Sequence, residues 1–308
     1  MNLSQALSAI TVVSVTLSGT GHVVHAAHDS KAALLAVLRD EKAKDKTLSQ
    51  DDVLKAIKPT SYGAQLSQLD NGYHHRHLQI VPAFEAKLGA SDAALYDQFG
   101  IAVAISGDTV VVGAPKKDDE GRIGVGAVYV HTGSAGKWTQ EDKLLANDAG
   151  DYDNFGGAVA IYGNIIVIGA NEHDANGLSK SGAVYVFVRS DETWTQQAKL
   201  TADDADAEDH FGWAVAIYGD TIVAGAYNDD NDGHINSGSA YVYHFSGGNW
   251  TQQAKLTAHD AAGSDQFGFS VAISGNIIVV GARHHDANGS RDTGAVYVFV
   301  GSDETWTQ

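Results

Sequence analysis

Three markers recur along the chain at a spacing of 56 residues, without drift. Phe-Gly stands at 99–100, 155–156, 211–212 and 267–268; Gly-Ala stands at 113–114, 169–170, 225–226 and 281–282; Trp stands at 138, 194, 250 and 306. Agreement among three independent markers makes residues 85–308 four tandem copies of one unit, with boundaries 85–140, 141–196, 197–252 and 253–308. A repeat of this length is one supersecondary unit. It cannot bury its apolar surface alone and gains a core only by stacking on its neighbours.

Each copy reads as four strands. In the second copy these are Ala158–Tyr162, Ile165–Ala170, Ala183–Val188 and Thr193–Leu200. The first is small and apolar, the second is a continuous apolar run, the third carries two aromatics, and the fourth alternates and is more polar. Continuous apolar runs mark strands covered on both faces, and alternation marks a half-exposed strand. The expected gradient runs from a buried first strand to an exposed fourth, as in a propeller blade whose first strand lines the axis. The turns agree: Gly107-Asp108, Gly163-Asn164, Gly219-Asp220 and Gly275-Asn276 are two-residue hairpin signals between strands one and two. The expected fold is therefore all-β, a β-propeller of four-stranded antiparallel blades. The segment Glu85-Ala86-Lys87-Leu88 matches the fourth-strand sequence Gln197-Ala198-Lys199-Leu200. It could complete the last blade and close a ring, or the four units could be part of a longer array.

Phe-Gly followed about a dozen residues later by Gly-Ala-Pro, whole at Gly113-Ala114-Pro115, resembles the FG-GAP repeat, the blade unit of the integrin α-subunit propeller. Gly-Ala-Val-Tyr-Val at 126–130, 182–186 and 294–298 strengthens the likeness. The resemblance implies a propeller fold, extracellular recognition or adhesion, and calcium in some blades. In the integrin pattern an Asp-rich calcium loop separates Phe-Gly from Gly-Ala-Pro. Here that interval holds only the two-residue turn, so that site is absent from all four copies.

Acidic residues gather elsewhere. Residues 85–308 carry 31 Asp and Glu against 12 Lys and Arg, whereas residues 1–84 carry 7 against 8. Such a domain repels phosphates, which excludes a nucleic-acid partner and favours cations or a protein or glycan ligand. One acidic set lies in the link before each Phe-Gly: Asp92 and Asp97, Asp148 and Asp153, Asp204 and Asp209, Asp260 and Asp265. The other lies in the loop between strands two and three. Antiparallel strands place both sets at one end of the sheet. Asn228-Asp229-Asp230-Asn231-Asp232-Gly233 alternates oxygen donors before a Gly, as hard cations require. The candidate calcium ligands are thus Asn228, Asp230 and Asp232, with Asp174, Asn176, Asp286 and Asn288 in the sister loops. Turns are also made of Asp, Asn and Gly for purely local reasons. His173, His284 and His285 have no partner at a fixed spacing in every copy and read as loop residues. The tyrosines at 129, 185, 241 and 297 and the repeat tryptophans at 138, 194, 250 and 306 read as packing residues.

No Gly-x-Ser-x-Gly elbow, phosphate loop or His-Glu-x-x-His motif occurs, and there is no Cys, so no catalytic constellation emerges. A unit retained nearly unchanged four times suits a binder or scaffold better than an enzyme. Ahead of the repeats, Leu3–Leu17 is apolar but interrupted by polar residues, and Val24-His25-Ala26 offers small residues for cleavage. A secretory signal over 1–26 is one reading and a disordered or strand-forming start the other. Residues 27–78 read as a helical segment and linker. No stretch reaches the roughly 18 apolar residues of a membrane helix. The functional expectation is a secreted or cell-surface recognition and adhesion module that binds a protein or glycan through acidic loops. The alternatives are an accessory domain of a larger secreted hydrolase or phospholipase, or a purely structural array.

Overall fold

A computed structural model describes residues 86–134, 137–191, 193–287, 289–302 and 305–308, together with the backbone of two strands near the N-terminus. Those two, β1 (Val12–Thr16) and β2 (Val23–Ala27), pair antiparallel with Val12 opposite Ala27 and Thr16 opposite Val23. They belong to a first unit, Met1–Lys87, and the repeats form a second, Leu88–Gln308. The helical segment expected within 27–78 lies outside the described residues.

The repeats fold into four antiparallel sheets, each a four-stranded meander. The first holds β3 (Val103–Ser106), β4 (Thr109–Ala114), β5 (Ala127–Ser134) and β6 (Lys137–Leu144). The second holds β7 (Ala158–Tyr162), β8 (Ile165–Ala170), β9 (Ala183–Ser190) and β10 (Thr193–Leu200). The third holds β11 (Ala214–Tyr218), β12 (Thr221–Ala226), β13 (Ser239–Ser246) and β14 (Asn249–Leu256). The fourth holds β15 (Phe267–Ser274), β16 (Ile277–Ala282), β17 (Ala295–Ser302) and β18 (Thr305–Thr307). The hairpin glycines Gly107, Gly163, Gly219 and Gly275 sit at φ between +57° and +59°, the left-handed conformation that these turns demand. Residues 86–90 form no strand, so among the described residues the last blade uses its own β18 as fourth strand.

Burial does not fall steadily from the first strand to the fourth. In the second blade β7 is only half-buried, β8 and β9 are almost wholly buried, and β10 alternates. The middle strands are covered on both faces because a blade lies on either side of them. One face of blade one, Val111, Val128 and Val130, packs on Ile166, Ile168 and Phe187 of blade two. Val167, Val184 and Val186 then pack on Ile222, Ala224 and Tyr243 of blade three. Val223, Ala240 and Val242 complete the series on Ile278, Val280 and Phe299 of blade four.

The recurring glycines are where blades meet. A Cβ placed on Gly113 would lie 2.0 Å from the carbonyl oxygen of Gly156; on Gly169, 1.9 Å from that of Gly212; on Gly225, 1.9 Å from that of Gly268. The Gly of each Gly-Ala thus faces the Gly of the next Phe-Gly, backbone against backbone. Beside this contact the Phe amide crosses the junction: Phe155 donates to the Val125 carbonyl at 3.1 Å, Phe211 to Ser181 at 2.9 Å and Phe267 to Ser237 at 2.8 Å. Each Phe ring then packs edge-on to the Tyr of its own third strand, as in Phe155–Tyr185 at 5.4 Å.

Gly169→Ala therefore drives a methyl into a neighbouring backbone that has no rotamer to yield. It should lower unfolding stability by about 2–3 kcal/mol in a denaturant titration. Gly89→Ala, with no atom within 4 Å of the added methyl, should leave stability nearly unchanged.

Candidate functional site

The loops after strand two and the links before strand one meet, as the strand directions require, and their acidic residues have partners. Asp92, Asp148, Asp204 and Asp260 each accept a hydrogen bond from the third-strand hydroxyl of Tyr129, Tyr185, Tyr241 or Tyr297, at 2.6–2.9 Å. In the first three copies a fourth-strand lysine closes the triad: Lys143, Lys199 and Lys255 lie 2.9, 2.6 and 2.7 Å from the same carboxylates. Burial alone would raise the Asp92 carboxyl, but the hydrogen bonds from Tyr129 and Lys143 outweigh it and hold the group at about 2. Burial and the facing carboxylate push the Tyr129, Tyr185 and Tyr241 hydroxyls far above the usual phenol range.

The second link carboxylate is deeper. Asp97, Asp153, Asp209 and Asp265 are 3–5% exposed, and each accepts the backbone N–H of the residue three positions earlier at 2.6–2.9 Å. Three of them face a cation or imidazole from the adjoining loop: Lys117 at 3.1 Å, His173 at 2.9 Å and His285 at 3.0 Å. The third blade departs from this pattern, because the corresponding residue is Asp229. Its carboxylate takes Ser239, Tyr241 and Lys255 as donors, at 2.6, 3.1 and 2.8 Å. Among the described residues Asp209 has no ion-pair partner. Burial, assisted by the Asp229 charge, pushes its carboxyl up to about 7.

The candidate calcium residues shape their own loops. Asp174 accepts the backbone N–H of Lys180 at 2.8 Å, Asp230 that of Asn236 at 2.7 Å, and Asp286 that of Asp292 at 2.8 Å. Asp118 does the same for Gly124, so one carboxylate closes each loop across six residues. Asn176 and Asp232 sit at φ +56° and +51°, a left-handed position that short polar side chains tolerate. Asn228 accepts from Gln266 at 3.4 Å. Asn288 lies outside the described residues. Among the described residues, no three His, Asp or Glu side chains converge where a metal ion could be held.

The same face carries a feature that the acidic pattern does not reveal. Trp213, Tyr227 and Phe269 form a part-exposed aromatic cluster across the junction of blades three and four, with centroids 4.7, 5.4 and 5.7 Å apart. His210 stacks on Tyr227 at 5.5 Å, and the exposed Arg283 guanidinium lies 3.9 Å over Phe269. Glu172, Glu208 and the Lys180 that bridges them border it, with both ion pairs at 3.6 Å. The cluster occupies two of the repeat positions that differ in every copy, each directly after an invariant pair: Ile101, Gly157, Trp213 and Phe269 after Phe-Gly, and Pro115, Asn171, Tyr227 and Arg283 after Gly-Ala. That variability, set against constant neighbours, is the signal from which it could have been found.

A family model described as FG-GAP repeat matches residues 83–131, 138–187, 194–243 and 250–299. No curated protein matches the chain. Among solved structures, the crystal structure of the computationally designed Ika4 protein is similar at 18% identity, covering 67% of this chain and 93% of that one, with a TM-score of 0.40.

The raised Asp209 carboxyl sets a pH dependence. The native state keeps this proton up to about pH 7, whereas an ordinary Asp releases it near 3.8. Between those values the native state binds more protons than the unfolded chain, so this group's contribution to stability falls as pH rises and is flat above about 7. Asp209→Asn keeps an acceptor for the Asp206 amide without the charge. It should be more stable than the parent at pH 8, by on the order of 3 kcal/mol, and equal to it near pH 4, as read by denaturant titration at both pH values.

Proposed function

We propose that this chain, which belongs to the FG-GAP repeat family, is a non-catalytic recognition module that takes a protein partner on the loop face of its blades. The observation that carries this reading is the Trp213–Tyr227–Phe269 cluster with Arg283 above it. Large aromatic side chains and Arg dominate interface energetics: the aromatics bury much area at little entropic cost, and the Arg guanidinium adds a planar fork of donors that stacks on them. Here they sit part-exposed where the other blades carry Ile, Gly, Pro and Asn. The acidic rim supports the reading differently from the expectation. Most link carboxylates already have Tyr, Lys or His partners, so the charge left for steering a partner is the single negative charge that Glu172 and Glu208 keep after sharing Lys180, together with the loop tips.

The proposed setting is extracellular or at the cell surface, in line with the apolar start of the chain. Calcium is proposed for the third loop alone, where Asn228, Asp230 and Asp232 share one short turn.

The test is capture of extracellular proteins on the immobilised full chain, with a glycan array in parallel. Trp213→Ala and Arg283→Ala should each weaken retention of the captured protein about 30-fold, the effect of losing an interface anchor. Retention by Trp213→Ala equal to the parent contradicts the reading, and binding to glycans alone replaces the partner class. The same capture in calcium and in chelator reads the metal: a difference abolished by Asp230→Asn supports the third-loop site, and no difference removes it.

A further inference from the structure

The two outer faces of the blade array are the two unmatched halves of the junction used between neighbouring blades. On the first blade, Val103 and Ile105 are 66% and 65% exposed. Their counterparts Val159 and Ile161, Val215 and Ile217, and Val271 and Ile273 all pack into the core shared with the preceding blade. Phe99 is part-exposed, whereas Phe155, Phe211 and Phe267 are fully buried. Gly100 has no atom within 4 Å of the point where a Cβ would stand, whereas the Gly156, Gly212 and Gly268 positions touch the previous blade.

On the fourth blade the opposite half is bare. Val296 and Val298 are 67% and 49% exposed, whereas Val128, Val130, Val184, Val186, Ala240 and Val242 at the same positions are fully buried under the next blade. Gly281 and Gly294 line an open groove of about 440 Å³ with Ser270 and Val296. In the other three blades the same two glycines are filled by the next Phe-Gly: Gly113 and Gly126 by Gly156 and Phe155, Gly169 and Gly182 by Gly212 and Phe211, Gly225 and Gly238 by Gly268 and Phe267.

We propose that a second copy of this chain docks head-to-tail, with Phe99, Gly100, Val103 and Ile105 of one copy seated on Gly281, Gly294, Val296 and Val298 of the other. The occupant follows from the junctions already described. The same interface forms three times within the chain, between blades of nearly the same sequence, so each outer face is complementary to the opposite outer face of another copy. Such a head-to-tail contact gives a closed ring or an extended stack, according to the rotation between copies. Either arrangement covers the outer sheet faces, which are otherwise exposed apolar surface. The inference does not depend on the recognition reading.

The test is the solution mass of the full chain at micromolar concentration, by light scattering or sedimentation. The parent should show at least two copies of the 32.4 kDa chain. Val103→Lys and Val296→Lys each change a side chain about two-thirds exposed in a single copy, so each should keep the blade fold and its circular dichroism. Each should bring the mass down at least two-fold, to that of one chain. Ile235→Lys, equally exposed at 68% but on a loop, should leave the assembled mass unchanged. A parent with the mass of one chain overturns the proposal, whether other residues of the chain cover these faces or nothing does. So does an assembly that survives both Val variants.

Discussion

The close approach of two backbones at each blade junction is the constraint on which the rest of this structure depends. At Gly113–Gly156, Gly169–Gly212 and Gly225–Gly268 no side chain fits between the blades. That proximity lets the Phe-Gly amide reach the carbonyl before the previous third strand, and it sets the Phe ring against the Tyr of its own blade. It also brings the valine face of one sheet onto the Ile and aromatic face of the next. Two of the three recurring markers in the sequence are therefore two halves of one contact, which explains why both recur at the same period.

The polar end of each blade follows from the same geometry. The link that delivers Phe-Gly to the junction runs beside the third and fourth strands, so its first Asp lies within reach of a buried Tyr and a Lys. The second Asp ties the link to itself and to the loop behind it. The link carboxylates are thereby tied into a hydrogen-bonded network that fixes the loop face, with the second Asp of each link buried and the first still open to solvent. The third blade breaks the pattern by placing Asp229 where the others carry Lys117, His173 and His285. That substitution leaves Asp209, among the described residues, without an ion-pair partner, and burial together with the Asp229 charge raises its carboxyl. The aromatic cluster lies on the same side of the molecule, at the junction between this blade and the fourth.

Much of the fold was legible because it is local and repeated. The strand bounds around Ile165–Ala170 and Thr193–Leu200, and the turns at Gly163 and Gly219, come from runs and spacings within a single copy. The burial order was not legible, since a strand's composition does not say whether neighbouring blades cover it: β7 is apolar yet half-buried. The fate of the acidic residues was hidden for a related reason. Asp92 meets Tyr129 and Lys143 across 37 and 51 residues, pairings that exist only once the blade is folded. Asp174, Asp230 and Asp286 read as cation ligands from composition; that each also accepts a backbone N–H across its own loop is set by the folded turn, which composition does not show. The Trp213–Tyr227–Phe269 cluster joins residues from two blades and would have been visible only by asking which repeat positions vary.

Recognition and self-association are two uses of one repeat: constant positions build junctions, and variable positions build a surface. Everything rests on the junctions being the rigid part of the molecule. Native-state hydrogen exchange measures that directly. The amides of Phe155, Phe211 and Phe267, each bonded across a junction, should exchange only with global unfolding, at a common slow rate matching the stability from denaturant. Exchange of these three amides at the rate of exposed loop amides would mean that the blades do not meet through the Phe-Gly and Gly-Ala contact, and would contradict the account.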